Sequence, residues 1–230
     1  VLMDDPTITN LAWLNQGIVN WIPINTSTSD FTLNTATFTN QGTLLLQNLN
    51  AGSTVFTAGG GTLINDVTGI INANPTTNLT IETVFTNNAT TGFFNTLSGT
   101  TQLNNAANTN QGNINIGTGS TLQVGVGDAL VLNTNTSFAG SLGTFGIAGG
   151  SVDVAALVDL SAAAMVLNLN SGGLLSNAQN LTIPNTFVIA GGTINGTGSF
   201  VTPASSNTVY SGASNLSLGV NWISNGIFNF

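Results

Sequence analysis

Apolar and polar residues alternate along this chain in short bursts, each bounded by Gly or Asn. Asn113-Ile114-Asn115-Ile116, Thr121-Leu122-Gln123-Val124, Leu79-Thr80-Ile81-Glu82, Ser151-Val152-Asp153-Val154 and Leu181-Thr182-Ile183 all carry an apolar side chain at every second position. A period of two marks a strand with one face buried. Gly and Asn supply the positive φ that sharp corners need. One stretch is ambiguous: Val152 to Leu167, with Ala162-Ala163-Ala164, has helix propensity. Its alternating start and its neighbours assign it to strand.

These bursts belong to a longer repeat. Asn15-Gln16-Gly17-Ile18-Val19-Asn20-Trp21 recurs as Asn40-Gln41-Gly42-Thr43-Leu44-Leu45-Leu46 and as Asn110-Gln111-Gly112-Asn113-Ile114-Asn115-Ile116. Ser224-Asn225-Gly226-Ile227-Phe228-Asn229-Phe230 reads as a fourth copy. Looser copies put a small-residue turn before a strand at Gly92, Gly150, Gly172, Gly192 and Gly212. The steps from Gly92 to Gly112, Gly150 to Gly172, Gly172 to Gly192 and Gly192 to Gly212 are nearly equal. A unit of that size holds two or three short strands and cannot bury its own apolar face. Stacked in register, such units bury it together, which is the logic of a solenoid. The expected fold is all-β: a parallel β-helix over a single domain, 1–230, with roughly ten coils of about 20–25 residues and a rod about 50 Å long. Leu, Ile, Val and Phe then stack inward, and Asn at equivalent corners stacks its amides. A β-sandwich is the alternative.

Composition narrows the function. The 230 residues include no Lys, Arg, His or Cys and only eight acids, for a formal net charge of −8. With no cation to meet phosphate, neither nucleic acid nor an anionic membrane surface is an expected partner. General-base His, Schiff-base Lys, thiolate and Arg clamp are all missing from the catalytic repertoire. Yet 41% of the residues are hydrophobic and the mean hydropathy is +0.32, so the chain is not a disordered acidic tail. No basic segment precedes an apolar stretch near Val1, and no apolar run reaches membrane-spanning length. The chain is therefore expected to be a mature product or a segment of something longer.

The pattern Leu14 to Trp21, Ala36 to Leu46, Gly191 to Gly198 and Asn221 to Phe230 resembles the β-strand-repeat surface proteins of bacteria, the filamentous-haemagglutinin-like and autotransporter-passenger adhesins. The resemblance implies a right-handed parallel β-helix, exported to the cell surface, with no catalytic residues to transfer. The chain departs from that group in lacking Lys and Arg altogether.

Each candidate chemistry has a simpler reading. Asp153 and Asp159 are the closest acidic pair beyond Asp4-Asp5, but paired carboxylates of a glycan-cleaving enzyme would act here with no basic group beside them. Solvated acids that keep the chain soluble are the expectation. Gly125 to Leu130 partly matches a calcium-binding nonapeptide, off by one residue and present once, so no cofactor is expected and calcium is only the nearest candidate. Seven Asn-Xaa-Ser/Thr sequons, at Asn25, Asn78, Asn88, Asn135, Asn180, Asn195 and Asn215, are what so Asn-rich a chain gives by chance. Trp13 and Trp222 are read as equivalent positions in the repeat, packed rather than stacked on sugars. The threonines Thr35, Thr37, Thr39, Thr80, Thr83 and Thr86 are read as not recurring once per coil, which argues against an ice-binding face.

No catalytic, cofactor or metal residue is assigned. The expected function is a non-enzymatic extracellular solenoid at the cell surface, a fibre subunit or an adhesin stalk, with a glycan- or host-surface-binding module as the alternative. The expected partner is a second copy, end to end. Asp4, Asp5 and Pro6 guard the N-terminal edge, whereas nothing charged follows Ala204. The candidate self-association residues are Trp13, Ile18, Trp21, Trp222, Ile227, Phe228 and Phe230.

Overall fold

A computed structural model describes residues 5–22, 30–47, 53–57, 59–138, 140–161, 164–212 and 214–230. Asp4, the Asn25 sequon and Ala162-Ala163 lie outside the described residues. Within them the chain is a right-handed parallel β-helix without helices. Every strand pair is parallel, which excludes the antiparallel sandwich. The ambiguous stretch holds three strands, Ser151–Val154, Val158–Asp159 and Val166–Leu169, and no helix among its described residues.

Each coil contributes one strand to each of up to three faces. The first face is an 11-stranded sheet from Thr7–Thr9 to Ile227–Asn229, which makes ten coil-to-coil steps. At about 4.8 Å per step the rod is about 48 Å long. The second face starts at Ala12–Asn15, and the third comprises five strands from Ile18–Trp21 to Ile114–Ile116. Toward the C-terminus the long strand Gly192–Thr202 serves two faces. Its first half pairs with Leu174–Asn177 and its second with Leu181–Thr182.

Coil length shrinks along the rod. Thr7 lies beside Thr32 in the first step, whereas Asn207 lies beside Ile227 in the last, a markedly shorter stretch of chain. The named threonines do not recur once per coil: Thr37 lies beside Thr62, which next meets Val84, Thr39 lies between Leu14 and Ile64, and Thr80 lies beside Gln102. A short threonine column does form elsewhere on the first face, from Thr100, Thr121 and Thr144. Of the named residues, Thr83 is buried and its hydroxyl donates to the Gly61 carbonyl.

Alternation does the packing. On the first face Ile81, Leu103, Val124, Ile147, Leu169 and Ile189 stack in one inward column, each essentially without solvent exposure. Burying each such side chain contributes about 1.5–3 kcal/mol. No coil encloses its column alone, so this stabilisation exists only in the stack.

Candidate functional site

The most organised part of the interior is the corner between the second and third faces. Strand alternation ends there on an inward Asn, followed by a polar residue and, at Asn15, Asn40 and Asn110, a Gly. Asn15, Asn40, Asn65, Asn87 and Asn110 occupy that position in five successive coils, and all are buried. Asn15 Nδ2 donates to Asn40 Oδ1 at 2.7 Å, Asn40 to Asn65 at 2.9 Å, Asn65 to Asn87 at 2.9 Å and Asn87 to Asn110 at 2.6 Å. Each Nδ2 also reaches a main-chain carbonyl, such as Phe93 for Asn65 and Asn113 for Asn87. A buried amide satisfied in this way fixes the coil above it in register. The following residues make an outer ladder in solvent: Gln16 donates to Gln41, Gln41 to Asp66, and Gln111 to Asn88.

From the second coil on, the glycines of this corner are required by space, whereas Gly17 has nothing within 4 Å of a Cβ. A Cβ on Gly42 would sit 2.1 Å from the Gly17 carbonyl oxygen, and one on Gly92 would sit 2.1 Å from that of Gly69. Gly150, Gly172, Gly192 and Gly212 belong to a different corner, between the first and second faces, where Gly149, Gly172 and Gly212 have positive φ. The sequence repeat thus found the right period but merged two corners.

The candidate end residues fall at opposite ends of the rod. Trp13 is partly buried against Phe38 (5.0 Å between ring centroids), Trp21 is fully buried near Phe31, and Ile18 points outward. At the other end Trp222 packs between Phe200 and Phe228, and Phe228 meets Phe230 at 4.6 Å. Ile227 and Phe230 are exposed. Tyr210, Leu216, Leu218, Trp222, Phe228 and Phe230 line an open apolar hollow of about 600 Å³.

The equivalence of the two ends does not hold. Trp13 shares a column with Phe38 on the second face, whereas Trp222 lies beside Phe200 in the half-strand that serves the third. Asn15-Gln16-Gly17 turns from the second face to the third, whereas Asn225-Gly226 turns from the third back to the first. The heptapeptides match because every corner of a β-helix asks for the same residue types.

Asp153 and Asp159 make separate local contacts. Asp153 accepts from the Ser176 hydroxyl on the second face, and Asp159 accepts from the Ser161 amide beside the third. One coil instead brings Asp5 and Asp30 together, with the Asp30 N–H donating to Asp5 Oδ1 at 2.9 Å. Burial, and then the Asp5 charge, push the Asp30 carboxyl above its ordinary range. Burial alone pushes up Asp128, which sits at the corner after Gly125 with one carboxylate oxygen unpartnered. Among the described residues no three potential metal-ligating side chains cluster.

These shifts have a sign. An acid whose folded pKa is raised costs stability while ionised, and that cost is relieved as pH falls through the folded pKa. Melting temperature is therefore expected to hold or rise from pH 6 to pH 3, while solubility is lowest near the pI of 4.1. Melts read with light scattering check this, and a marked fall in melting temperature would contradict it.

Comparison with protein-family models, curated proteins and solved structures returns no match. The functional reading therefore rests on this architecture.

Proposed function

We propose that this chain is a non-enzymatic structural segment of an extracellular, cell-surface β-solenoid: a stiff stalk that holds something else away from the cell. The observation that carries the reading is the five-rung buried amide ladder. The chain commits its most constrained polar groups to holding coils in register, and Asp153 and Asp159 lie on separate walls. The bacterial surface-protein resemblance supports export and an adhesin context.

The alternative, a glycan- or host-ligand-binding module, calls for aromatic side chains gathered on a lateral wall. Among the described residues the large exposed aromatics are Phe93 on the third face and Phe230 at the C-terminal end. That distribution favours the stalk. Negative-stain microscopy of the purified chain should give rods about 50 Å long, with no retention on a glycan array. Saturable glycan binding, or cleavage of an arrayed glycan, would overturn the reading.

The apolar hollow favours a second reading, self-association through the ends. Strand Ile227–Asn229 projects one rung past Leu216–Ser224 on the first face only, so a head-to-tail contact is stepped rather than flush. If fibres form through it, changing Ile227 and Phe228 to Lys abolishes them and leaves the β circular-dichroism signal intact. Fibres that persist in that variant would exclude this contact.

A further inference from the structure

An asparagine that precedes glycine carries a latent reaction. Its side-chain carbonyl carbon can close a five-membered ring with the next main-chain nitrogen, and glycine puts no side chain in the way. The chain holds two such pairs, Asn195-Gly196 and Asn225-Gly226. The β-helix treats them differently.

Asn195 lies inside strand Gly192–Thr202, beside Ser176 of one neighbour and Gly219 of the other, and Gly196 lies beside Asn177. Closing a ring there pulls the peptide out of a paired, extended strand and breaks its ladder bonds. Asn225-Gly226 stands outside any strand, between Leu216–Ser224 and Ile227–Asn229. Among the described residues the exposed Asn225 side chain has no hydrogen-bond partner, and the Gly226 N–H has no acceptor. Other corner glycines, such as Gly42, Gly92 and Gly143, donate that N–H to the coil before.

Packing forbids the simplest protection. A Cβ on Gly226 would sit 2.5 Å from the Ser206 carbonyl oxygen and 2.6 Å from that of Pro203, both main-chain atoms of the preceding coil. A larger residue fits only if the coils part. The corner therefore keeps the glycine that leaves Asn225 reactive.

We propose that Asn225 is a site of spontaneous deamidation, and that the fold protects Asn195 from the same reaction. Hydroxide takes the Gly226 amide proton, the nitrogen attacks Asn225 Cγ, and the side-chain amide leaves as ammonia with a proton from water. Water then opens the cyclic imide. Breaking the N–Cγ bond leaves aspartate. Breaking the bond to the main-chain carbonyl carbon leaves isoaspartate, with the side-chain methylene now in the main chain just before Ile227–Asn229. Either product adds one negative charge to a stretch that has none after Asp159. The inference does not rest on the stalk reading and survives its failure.

The test incubates the purified chain at mildly alkaline pH beside a synthetic peptide spanning Ile223 to Phe228. Isoelectric focusing and intact mass follow both. The parent and Asn195→Gln are expected to give a more acidic species, one mass unit heavier, at the same rate, and Asn225→Gln is expected to lose it. Persistence of that species in Asn225→Gln, its loss in Asn195→Gln, or its absence from the parent after many half-lives of the peptide would overturn the proposal. Fragmentation of the parent's acidic species needs no variant and should place the change at Asn225. A change placed at Asn195 or at any other asparagine would overturn it equally.

Discussion

Asn65→Ala is expected to lower unfolding free energy by about 3–5 kcal/mol, because two buried acceptors are orphaned together. Asn87 Oδ1 and the Phe93 carbonyl both lose the Nδ2 that serves them, and Asn40 loses its side-chain acceptor. In a stack where each coil touches only its neighbours, a mid-rod loss weakens two interfaces at once. Gln111→Ala removes an amide of the exposed outer ladder and should cost no more than about 0.5 kcal/mol. Urea midpoints of the two variants give the comparison. Similar losses would mean that the buried ladder contributes no more than the solvated one.

The Asp variant at the same position separates geometry from charge. Asn65→Asp keeps the volume but puts a carboxylate against Asn87 Oδ1, in a chain with no cation anywhere to offset it. Burial and the facing acceptor raise its folded pKa, so the variant should be less stable than the Ala variant near pH 7 and recover as pH falls.

Gly92→Ala is the second large effect, expected at about 2–4 kcal/mol. The new Cβ would meet the Gly69 carbonyl oxygen at 2.1 Å and its carbon at 2.7 Å. Both are main-chain atoms of the coil before, so relief requires the coils to part. Gly127 offers the contrasting case, with φ of 82° and nothing within 4 Å of a Cβ. Gly127→Ala should therefore cost only the left-handed backbone penalty of about 1–2 kcal/mol. Thermal melts rank the two, and a reversed order would refute the steric account.

The period of the solenoid was legible in the residues because two physical signals coincide in it. Inward apolar residues recur at every second position, and Asn-Xaa-Gly stands where a strand must end. The amide ladder was foreseeable from Asn15, Asn40 and Asn110, although its middle rungs, Asn65-Asp66 and Asn87-Asn88, lack the Gln-Gly that marks the others. What was not legible was which corner each repeat belongs to. All the corners select Gly and Asn for similar reasons, so Ser224 to Phe230 looks like Asn15 to Trp21 while occupying a different turn. Column partners were hidden likewise by the shortening of the coils between the Thr7–Thr32 step and the Asn207–Ile227 step. The Asp5–Asp30 pair was invisible for the same reason: only a known coil length makes those carboxylates neighbours.

The amide column also has a sense. Every Nδ2 in it points toward the C-terminal neighbour. Turning one amide over would set two oxygens face to face on one side and two NH2 groups on the other. The five must therefore all point one way or all the other. The choice is made in every coil, because each Nδ2 also meets a main-chain carbonyl that an oxygen could not face. The margins agree with it: the Gly17 N–H needs the Asn15 oxygen, and the Thr136 hydroxyl donates its proton to the Asn110 carbonyl and is left as an acceptor. The backbone of each coil thus reads the same direction into the column, which gives the rod a chemical polarity from one end of the ladder to the other.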